Sequence, residues 1–436
     1  MHSVWLETAA LPKFEQLERN RKTDVLIIGG GMAGVLCAYL LKQKGADVCL
    51  VEANEICSGI TKNTTAKITS QHGLIYYKML RKLGEEKTRM YLDANQNALQ
   101  EYRKLSEKID CDFTEADAYV YSICNRQICE READALGRLG IKAEFLEKTE
   151  LPFTVAGAVR FPKQAQFHPL KLIAEIAKDL PIYEHTKIKE LWENIAITDH
   201  GYITADKMIV TTHFPFLNTH GSYFLKMYQH RSYVIAYENA QEMKGMYVDE
   251  AQKGMSFRSY KDLLLIGGGD HRTGKKGGNW EELEKFAKKY YPNAKEQYRW
   301  ATQDCMTLDG IPYIGHYSAK TPNLYVATGF NKWGMTSSMA AAQILTDMVL
   351  GNKNPYAEVF DPSRSMLHPQ LAMNMVESAI NLLTPAKKRC PHLGCALKWN
   401  EQEHSWDCPC HGSRFSEEGK LIDNPATGDI RRKEYL

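Results

Sequence analysis

Cysteine and histidine residues are concentrated near the C-terminus. The chain reads CPHLGC over 390–395 and CPCHGS over 408–413, so four of its 11 cysteines stand close to histidines in two short segments. Thiolates and neutral imidazoles are ligands of zinc and of iron–sulfur centres. The other cysteines are scattered, mostly in apolar contexts typical of reduced core thiols. The clustering therefore predicts a metal site in this part of the chain.

The N-terminal region contains a glycine motif between two predicted strands. Residues 29–34 read GGGMAG, which fits the pattern GxGxxG. The apolar run Val25–Ile28 precedes it, and apolar residues at helical spacing follow it before a second strand, Val48–Val51, that leads to Glu52. A GxGxxG alone is weak evidence, but strand, glycines, helix, strand and acidic residue in this order are typical of a dinucleotide-binding unit.

Each part of this unit has a physical role. Gly29 permits the tight turn, Gly31 lets a pyrophosphate approach the backbone, and Gly34 lets the helix pack close to the sheet. The free N–H groups at the helix N-terminus bind phosphates. Glu52 accepts hydrogen bonds from ribose hydroxyls. A βαβ unit that binds no nucleotide is the less favoured alternative.

Length and charge limit the possible classes of protein. A chain of 436 residues is too long for one small core, so two or three domains are expected. The net charge of +2 gives no reason to expect a nucleic acid partner. The N-terminus has no apolar signal core, and no apolar run is long enough to span a bilayer. The expected compartment is the cytoplasm.

A leader, a polar loop and a long helix are predicted around the glycine motif. Residues 1–23 are expected to pack onto the first domain, with Trp5 and Leu6 as anchors. The Gly/Ser/Thr-rich segment 57–67 offers donors that suit a phosphate or a polar ring edge, although a turn and N-cap cluster is the simpler interpretation of that segment alone. It leads into a predicted helix around 75–108.

A second junction of strand, glycines and helix is predicted in the second half of the chain. Leu324–Thr328 is expected to form a strand, GFNKWGM follows over 329–335, and a helix is expected over 336–350. Such a junction directs a helix N-terminus at a second part of the cofactor. Residues 361–388 are expected to tether the metal segment, with a helix over Pro369–Leu383.

The first 360 residues resemble the D-amino-acid oxidase-like class of FAD-dependent oxidoreductases, which includes glycine oxidase and sarcosine oxidase. The resemblance rests on GGGMAG with Glu52, SGIT over 58–61, ADKMIV over 205–210, DGIPYIG over 309–315 and GFNKWG over 329–334. It implies an α/β fold in which a Rossmann-like FAD-binding domain is interleaved with an α+β substrate domain. The implied cofactor is FAD, and we expect it to be bound non-covalently.

The resemblance also implies how FAD is held. Glu52 would bind the adenosine ribose, the glycines the pyrophosphate, and Ile188 would lie near the adenine. A helix beginning near Gly334 would stabilise the N1–C2=O edge of the flavin, because a helix N-terminus favours the negative charge of a reduced flavin. The expected FAD contacts are Gly29, Gly31, Met32, Ala33, Gly34, Glu52, Ala53, Ser58, Gly59, Thr61, Ile188, Gly329, Trp333, Gly334, Met335 and Thr336.

Candidates for the catalytic residues follow from the same resemblance. Arg231 and Tyr233 lie on a strand that relatives place over the flavin face, and His72 and Lys332 are polar candidates near the ring. For each of them a structural or solvated role is an equal alternative. Amino-acid and sarcosine oxidases usually place an Arg or Lys in the glycine–helix segment to bind a substrate carboxylate. This chain has only Lys332 there, which argues against a carboxylate substrate.

Residues 389–436 resemble a shortened Rieske [2Fe–2S] domain. The implied iron ligands are Cys390, His392, Cys408 and His411, and the implied disulfide joins Cys395 and Cys410. Ser413 is expected to donate a hydrogen bond to a cluster sulfur, whereas Phe415 replaces the tyrosine of high-potential relatives, so we expect an intermediate potential. Zinc bound by a Cys2His2 set is the alternative, although Cys-x-His is an unusual zinc spacing. Only the tether precedes the first loop, so we expect the module to lean on the flavin domain for burial.

Together these features predict a flavin-dependent dehydrogenase. It would oxidise a small amine, amino acid or related substrate at FAD and pass electrons singly through the Rieske cluster to an acceptor protein. The alternatives are an electron-transfer or reductase component that takes electrons from a carrier, and a plain flavin oxidase or redox sensor with a degenerate iron–sulfur module. The predicted domains are FAD-binding (1–95, 150–215 and 305–360), substrate (96–149 and 216–304), tether (361–388) and iron–sulfur module (389–436).

Overall fold

The computed structural model describes residues 2–430, and over these residues the chain forms three β-sheets with helices packed against them. The chain alternates between the first two sheets, whereas the third sheet is confined to the C-terminal region. This is the predicted α/β architecture with a small all-β module at its C-terminal end. The helices are Val4–Thr8, Met32–Gln43, Tyr76–Ser106, Arg126–Arg138, Pro169–Ala177, Tyr223–Lys226, Trp280–Tyr290, Gly334–Val349, Ala357–Phe360 and Pro369–Leu383, and a 3-10 turn covers Ile60–Asn63.

The first sheet is mostly parallel and carries the glycine motif. Strand Arg21–Ile28 pairs in parallel with a neighbour on each side, and its last four residues are buried, as expected for a strand covered on both faces. The helices Met32–Gln43 and Gly334–Val349 pack against each other beside this sheet. In spatial order its strands are Tyr313–His316, Leu324–Thr328, Tyr202–Val210, Arg21–Ile28, Val48–Val51 and Ile182–Tyr183, and the hairpin of Glu190–Trp192 and Ile195–Ile197 pairs with Tyr202–Val210.

The second sheet is mostly antiparallel and contains the strand that carries Arg231 and Tyr233. In spatial order its strands are Lys295–Thr307, Met227–Glu238, Leu263–Arg272, Ser256–Tyr260, Met246–Asp249, Thr114–Ser122, Gly157–Gln166 and Lys67–Ile68, and Glu144–Leu146 pairs with Gly157–Gln166. Gly157–Gln166 and Lys67–Ile68 fall within segments predicted for the FAD-binding domain, yet they pair in this sheet. The predicted domain boundaries stay a prediction.

The third sheet forms the C-terminal module. Its antiparallel strands are Lys398–Asn400, Ser405–Asp407, Arg414–Ser416 and Leu421–Asp423. The helix Pro369–Leu383 precedes it with the predicted bounds. Among residues 2–430, none of the helices combines the length and the apolar composition that crossing a bilayer requires.

Two predictions about the N-terminal half need correction in detail. Trp5 is fully buried and its Nε1–H donates to the Thr64 carbonyl at 2.7 Å, but Leu6 is exposed and therefore does not anchor the leader. The helix predicted around 75–108 forms over Tyr76–Ser106, with a break at Gly84, where φ is +79°. A positive φ is readily adopted by glycine alone, so this residue marks the bend.

Candidate active site and metal centre

A cavity of about 1170 Å³ lies at the carboxyl ends of the first sheet's strands and extends to the second sheet. All predicted FAD contacts line it except Gly34 and Thr336. A Cβ atom at Gly34 would lie 1.9 Å from the Gly29 carbonyl oxygen, so the glycine serves the close packing of the turn. The Thr336 hydroxyl is bonded to the backbone of Thr69 and connects the second glycine–helix junction to the rest of the fold.

Glu52 is fixed at the end of its strand by two backbone groups. Its Oε2 accepts from the Gly30 N–H at 2.7 Å, and its Oε1 accepts from the Asn54 N–H at 2.9 Å. Burial raises the pKa of this carboxyl group, although the hydrogen bonds from Asn54 and Gly30 oppose that shift. The Met32 N–H at the start of the helix donates to the Thr61 hydroxyl at 3.0 Å, which joins the polar loop to the glycine turn. These residues fit a dinucleotide held between the turn and the loop.

Arg231 and Tyr233 line the cavity, and both contact the C-terminal module. Arg231 forms a buried ion pair with Glu403, in which its Nε–H donates to Glu403 Oε1 at 3.0 Å. The Tyr233 hydroxyl donates to the same oxygen at 3.1 Å, and Arg414 binds Glu403 Oε2 at 2.8 Å. Burial alone would raise the pKa of Glu403, but the charges of Arg231 and Arg414 lower it to about 2. The Arg231 guanidinium is therefore already neutralised by a carboxylate of this chain.

The contacts of His72 favour the structural role that was the alternative for this residue. This residue does not line the cavity; its Nδ1 lies 2.6 Å from the Tyr91 hydroxyl and its Nε2 lies 2.7 Å from the Thr69 carbonyl oxygen. Its ring stacks on Trp333 with centroids 5.0 Å apart, and burial lowers the pKa of His72 to about 3. The neutral ring packs against Trp333, and both of its nitrogens are hydrogen-bonded, so neither is available to exchange a proton with a substrate.

Lys332 does line the cavity, and two carboxylates that the sequence did not reveal lie with it. Its Nζ lies 2.8 Å from Asp270 Oδ1, and the Ser232 hydroxyl donates to the same oxygen. Burial raises the pKa of Asp304 to about 6, while the positive charge of Lys332 opposes this shift. A carboxyl group in a cleft that titrates near neutral pH is a candidate proton acceptor. Asp270 and Asp304 belong to no motif, so only the pairing of their strands with Met227–Glu238 places them here.

The CPHLGC and CPCHGS loops bring the predicted iron ligands together. The His392 and His411 rings have centroids 5.0 Å apart, and the Nδ1 atoms of both are buried with no hydrogen-bond partner in the described part of the chain. An unpartnered buried nitrogen is costly unless it binds something else. Burial lowers the pKa of His392 to about 4 and that of His411 to about 3, so both rings are neutral, as metal ligands must be.

The thiols complete this donor set. The Cys408 thiol is within hydrogen-bonding reach of the thiols of Cys390, Cys395 and Cys410, and the Sγ atoms of Cys395, Cys408 and Cys410 all lie within 4.8 Å of one another. All four cysteines of the two loops are free thiols in the structure, and the disulfide between Cys395 and Cys410 stays a prediction. Ser413 contacts the Cys390 thiol, and its Oγ accepts from the Ala426 N–H at 2.9 Å. Four thiols and two neutral imidazoles fit a [2Fe–2S] cluster better than a single zinc ion.

The cluster loops rest on the second sheet, as expected for a shortened module. Gln229 Nε2 donates to the His411 carbonyl at 2.8 Å, and Gln303 Nε2 donates to the Gly412 carbonyl at 2.9 Å. A Cβ atom at Gly412 would lie 2.6 Å from the Gln229 side chain, so only glycine allows this approach. Arg272 donates to the carbonyls of Pro409 and Cys410 at 3.0 and 2.9 Å. The second sheet thus provides the base that the module lacks.

The module also closes the cavity that contains the predicted FAD contacts. Part of the cavity lining comes from the hairpin between Lys398–Asn400 and Ser405–Asp407. The rest comes from the third and fourth strands of the module and the residues that follow the fourth strand. These lining residues are Gln402, Glu403, His404, Arg414, Leu421, Ile422, Asp423, Asn424, Ala426 and Thr427. Ala426 bonds Ser413, and Ser413 contacts the Cys390 thiol. A single residue therefore lies between the cavity wall and a predicted iron ligand.

Comparison with known proteins bears on both regions. Residues 24–348 match the family model of FAD dependent oxidoreductases (DAO), and residues 377–434 match that of the Rieske [2Fe-2S] domain. The chain is 33% identical to the protein YhfW of Bacillus subtilis (strain 168), whose name describes a Rieske 2Fe-2S iron-sulfur protein. That alignment runs over 493 residues and covers 99% of this chain and 97% of the relative.

Solved structures share the fold of the larger region. L-proline dehydrogenase from P. horikoshii is 18% identical with a TM-score of 0.66 and covers 79% of this chain and 98% of its own. Glycine oxidase from Geobacillus kaustophilus is also 18% identical, with a TM-score of 0.68, and covers 79% of this chain and 100% of its own. At this identity the similarity establishes the fold.

Proposed function

Because this chain belongs to the family of FAD-dependent oxidoreductases and carries a C-terminal Rieske [2Fe–2S] domain, we propose that it oxidises a small amine or related substrate and passes the electrons one at a time to an acceptor. FAD and the [2Fe–2S] cluster are its cofactors. When bound, FAD exchanges two electrons with an organic substrate, and the cluster carries one electron at a time. The observation that carries the proposal is the single cavity whose wall is shared by the FAD-binding residues and the iron–sulfur module.

Residues of the chain would hold each cofactor in defined ways. Glu52 would bind the ribose, and the turn at Gly31 would hold the pyrophosphate. Cys390, His392, Cys408 and His411 would ligate the cluster. Two consecutive residues connect the cavity to the cluster loops. His213 lines the cavity, and the ring centroid of Phe214 lies 6.5 Å from that of His411. This proximity supports electron transfer within the chain.

The charges in the cavity support an amine in preference to an amino acid. The two cations predicted near the flavin are not free to bind a substrate carboxylate, since Arg231 is bound by Glu403 and Lys332 by Asp270. Asp304 is placed to accept a proton from a substrate ammonium group, since the carboxylate form dominates above about pH 6. The hairpin residues Gln402, Glu403 and His404 also line the cavity, so the iron–sulfur module helps to shape the substrate site.

Anaerobic reduction of the loaded protein tests the proposal. Small primary and secondary amines, matched amino acids and NADH are added separately, while flavin absorbance and the low-temperature EPR signal of the cluster are recorded. We expect amines to bleach the flavin and to produce a Rieske signal with average g below 2. Bleaching without that signal would contradict internal electron transfer and leave a plain oxidase. Bleaching by NADH alone would instead support a reductase component.

We also propose that Cys395 and Cys410 form a disulfide in the cluster-loaded protein. Their sulfur atoms lie within 4.8 Å of each other, and two thiols remain once Cys390 and Cys408 bind iron. Thiol titration of the denatured, iron-free protein should then give two fewer thiols than after reduction. Equal counts before and after reduction would exclude the bond.

A further inference from the structure

The helix Pro369–Leu383 is amphipathic, but it buries its polar side and exposes its apolar side, the reverse of the usual arrangement. Its polar side faces the protein, where Asn374 is 3% exposed. Its apolar side faces outward, and Leu383 is 83% exposed. The exposed apolar side chains on and just before this helix are Leu367, Met373, Met375, Val376, Ile380, Leu382 and Leu383.

Specific contacts fix this orientation. Asn374 Oδ1 accepts from Arg272 Nη1 at 3.0 Å, and Asn374 Nδ2 donates to the Leu225 carbonyl at 3.3 Å. Glu377 forms an ion pair with Lys275 at 2.6 Å. Rotating the helix to bury its apolar side would break these bonds and leave Nη1 of Arg272 without its acceptor. The apolar surface is therefore built to remain on the outside.

We propose that this apolar surface, defined by Leu367 and the exposed apolar side chains of the helix, lies in the surface of an anionic lipid bilayer. At about 100° per residue, its side chains from Met373 to Leu383 spread over roughly half of the helix circumference. A seam between two helices uses a narrower stripe, whereas a helix lying in a membrane surface presents a broad apolar side. The width of the apolar surface therefore favours a bilayer as its binding partner, rather than the same helix of a second protein molecule.

The charges around the apolar surface match anionic headgroups. Lys387, Lys388 and Arg389 lie shortly after the end of the helix, and Lys276 lies beside Lys275, whose charge is already paired with Glu377. The chain contains no Asp or Glu from 378 to 400. Basic residues next to an apolar interfacial helix strengthen its binding to anionic lipids. In a bilayer that contains phosphatidylglycerol, the apolar side chains would contact the acyl chains and the basic side chains would contact the anionic headgroups.

The apolar surface is continuous with one cluster loop. A Cβ atom at Gly394 would lie 3.8 Å from Leu382 Cδ2, so the helix touches the CPHLGC loop directly. Leu393 in the same loop is exposed, and it adjoins His392. A protein bound through the apolar surface would hold this loop against the membrane. The inference does not depend on the identity of the substrate.

Vesicle flotation of the loaded protein tests the inference. The vesicles contain either phosphatidylcholine alone or phosphatidylcholine mixed with phosphatidylglycerol. We expect the protein to float with the mixed vesicles, to bind them about tenfold better than the neutral ones, and to be released by high salt. Val376→Glu together with Ile380→Glu should reduce binding by about tenfold or more. Ile123→Glu, an equally exposed apolar site on another surface, should leave binding unchanged.

Two outcomes would overturn the inference. One is the absence of flotation with both kinds of vesicle. The other is a dimer, detected by light scattering without lipid, that the Val376→Glu and Ile380→Glu double variant dissociates, since the apolar surface would then bind a second copy. Flavin absorbance and the Rieske EPR signal of each variant show that it has folded and loaded its cofactors.

Discussion

Cys408→Ser should eliminate the Rieske EPR signal and leave the flavin spectrum intact. Cys408 is buried at the centre of the thiol group, where it contacts the other three cysteines of the module. A serine hydroxyl is a poor iron ligand, because soft thiolates hold iron–sulfur clusters. Reduction of the flavin by substrate should persist. Turnover with a one-electron acceptor should fall by about a hundredfold or more, because the electrons lose their path from the flavin; such a fall corresponds to an increase of about 3 kcal/mol in the activation free energy.

The matched control is Cys124→Ser. Cys124 is exposed and lies outside both cofactor regions, so iron content and turnover should equal those of the unmodified protein. Iron analysis and EPR check the first expectation, and steady-state kinetics with a one-electron acceptor check the second. A Cys408→Ser variant that retains full turnover would show that electrons leave the flavin without passing through the cluster.

Glu403→Leu should destabilise the attachment of the iron–sulfur module by about 3–5 kcal/mol, the usual cost of removing one partner from a buried ion pair. The substitution leaves Arg231 buried without a counter-charge and removes the acceptor of the Tyr233 hydroxyl. Arg414 retains Asp407 and Asp423, at 3.0 and 3.1 Å. We expect the loss to appear as earlier urea unfolding of the module, followed by the visible circular dichroism of the cluster.

Two further variants distinguish the effect of losing the ion pair from the effect of any substitution in the hairpin. Glu401→Leu changes an exposed glutamate two residues away and should leave the unfolding curve unchanged. Arg231→Met combined with Glu403→Leu removes both buried charges and should recover most of the lost stability. If the double variant is as unstable as Glu403→Leu alone, the ion pair does not explain the attachment.

The same pair gives the module a defined response to acid. The pKa of Glu403 is lowered, so the stabilisation is fully present above the ordinary glutamate pKa of about 4.3 and is lost as the pH falls towards about 2. Across the neutral range the ion pair contributes no pH dependence of its own.

Local sequence patterns predicted the cofactor-binding segments. Gly29 and Glu52 lie in one βαβ unit, where spacing along the chain determines position in space. The two Cys/His loops carry their donors in the same way. Their identity therefore followed from short motifs, as did the bounds of the helix Pro369–Leu383.

Interactions between distant segments were not predictable in this way. Arg231 and Glu403 are separated by 172 positions, and only the docking of the module makes Arg231 the partner of a protein carboxylate. The sequence could not decide between a catalytic and a structural role for His72, because it does not reveal that Tyr91 and Thr69 contact both of its ring nitrogens. The helix before the module was predicted from its sequence, but which of its sides faces the protein depends on the Asn374–Arg272 hydrogen bond, which holds the polar side inward.

The shared cavity wall has a consequence for how the protein is made. Residues 402–427 complete the cavity, and they follow the other lining residues along the chain, so they are synthesised after the rest of its wall. Until they are synthesised and folded, the flavin cleft lacks part of its wall and Arg231 lacks its counter-charge. Any state in which the iron–sulfur module is unfolded therefore also has an incomplete substrate pocket.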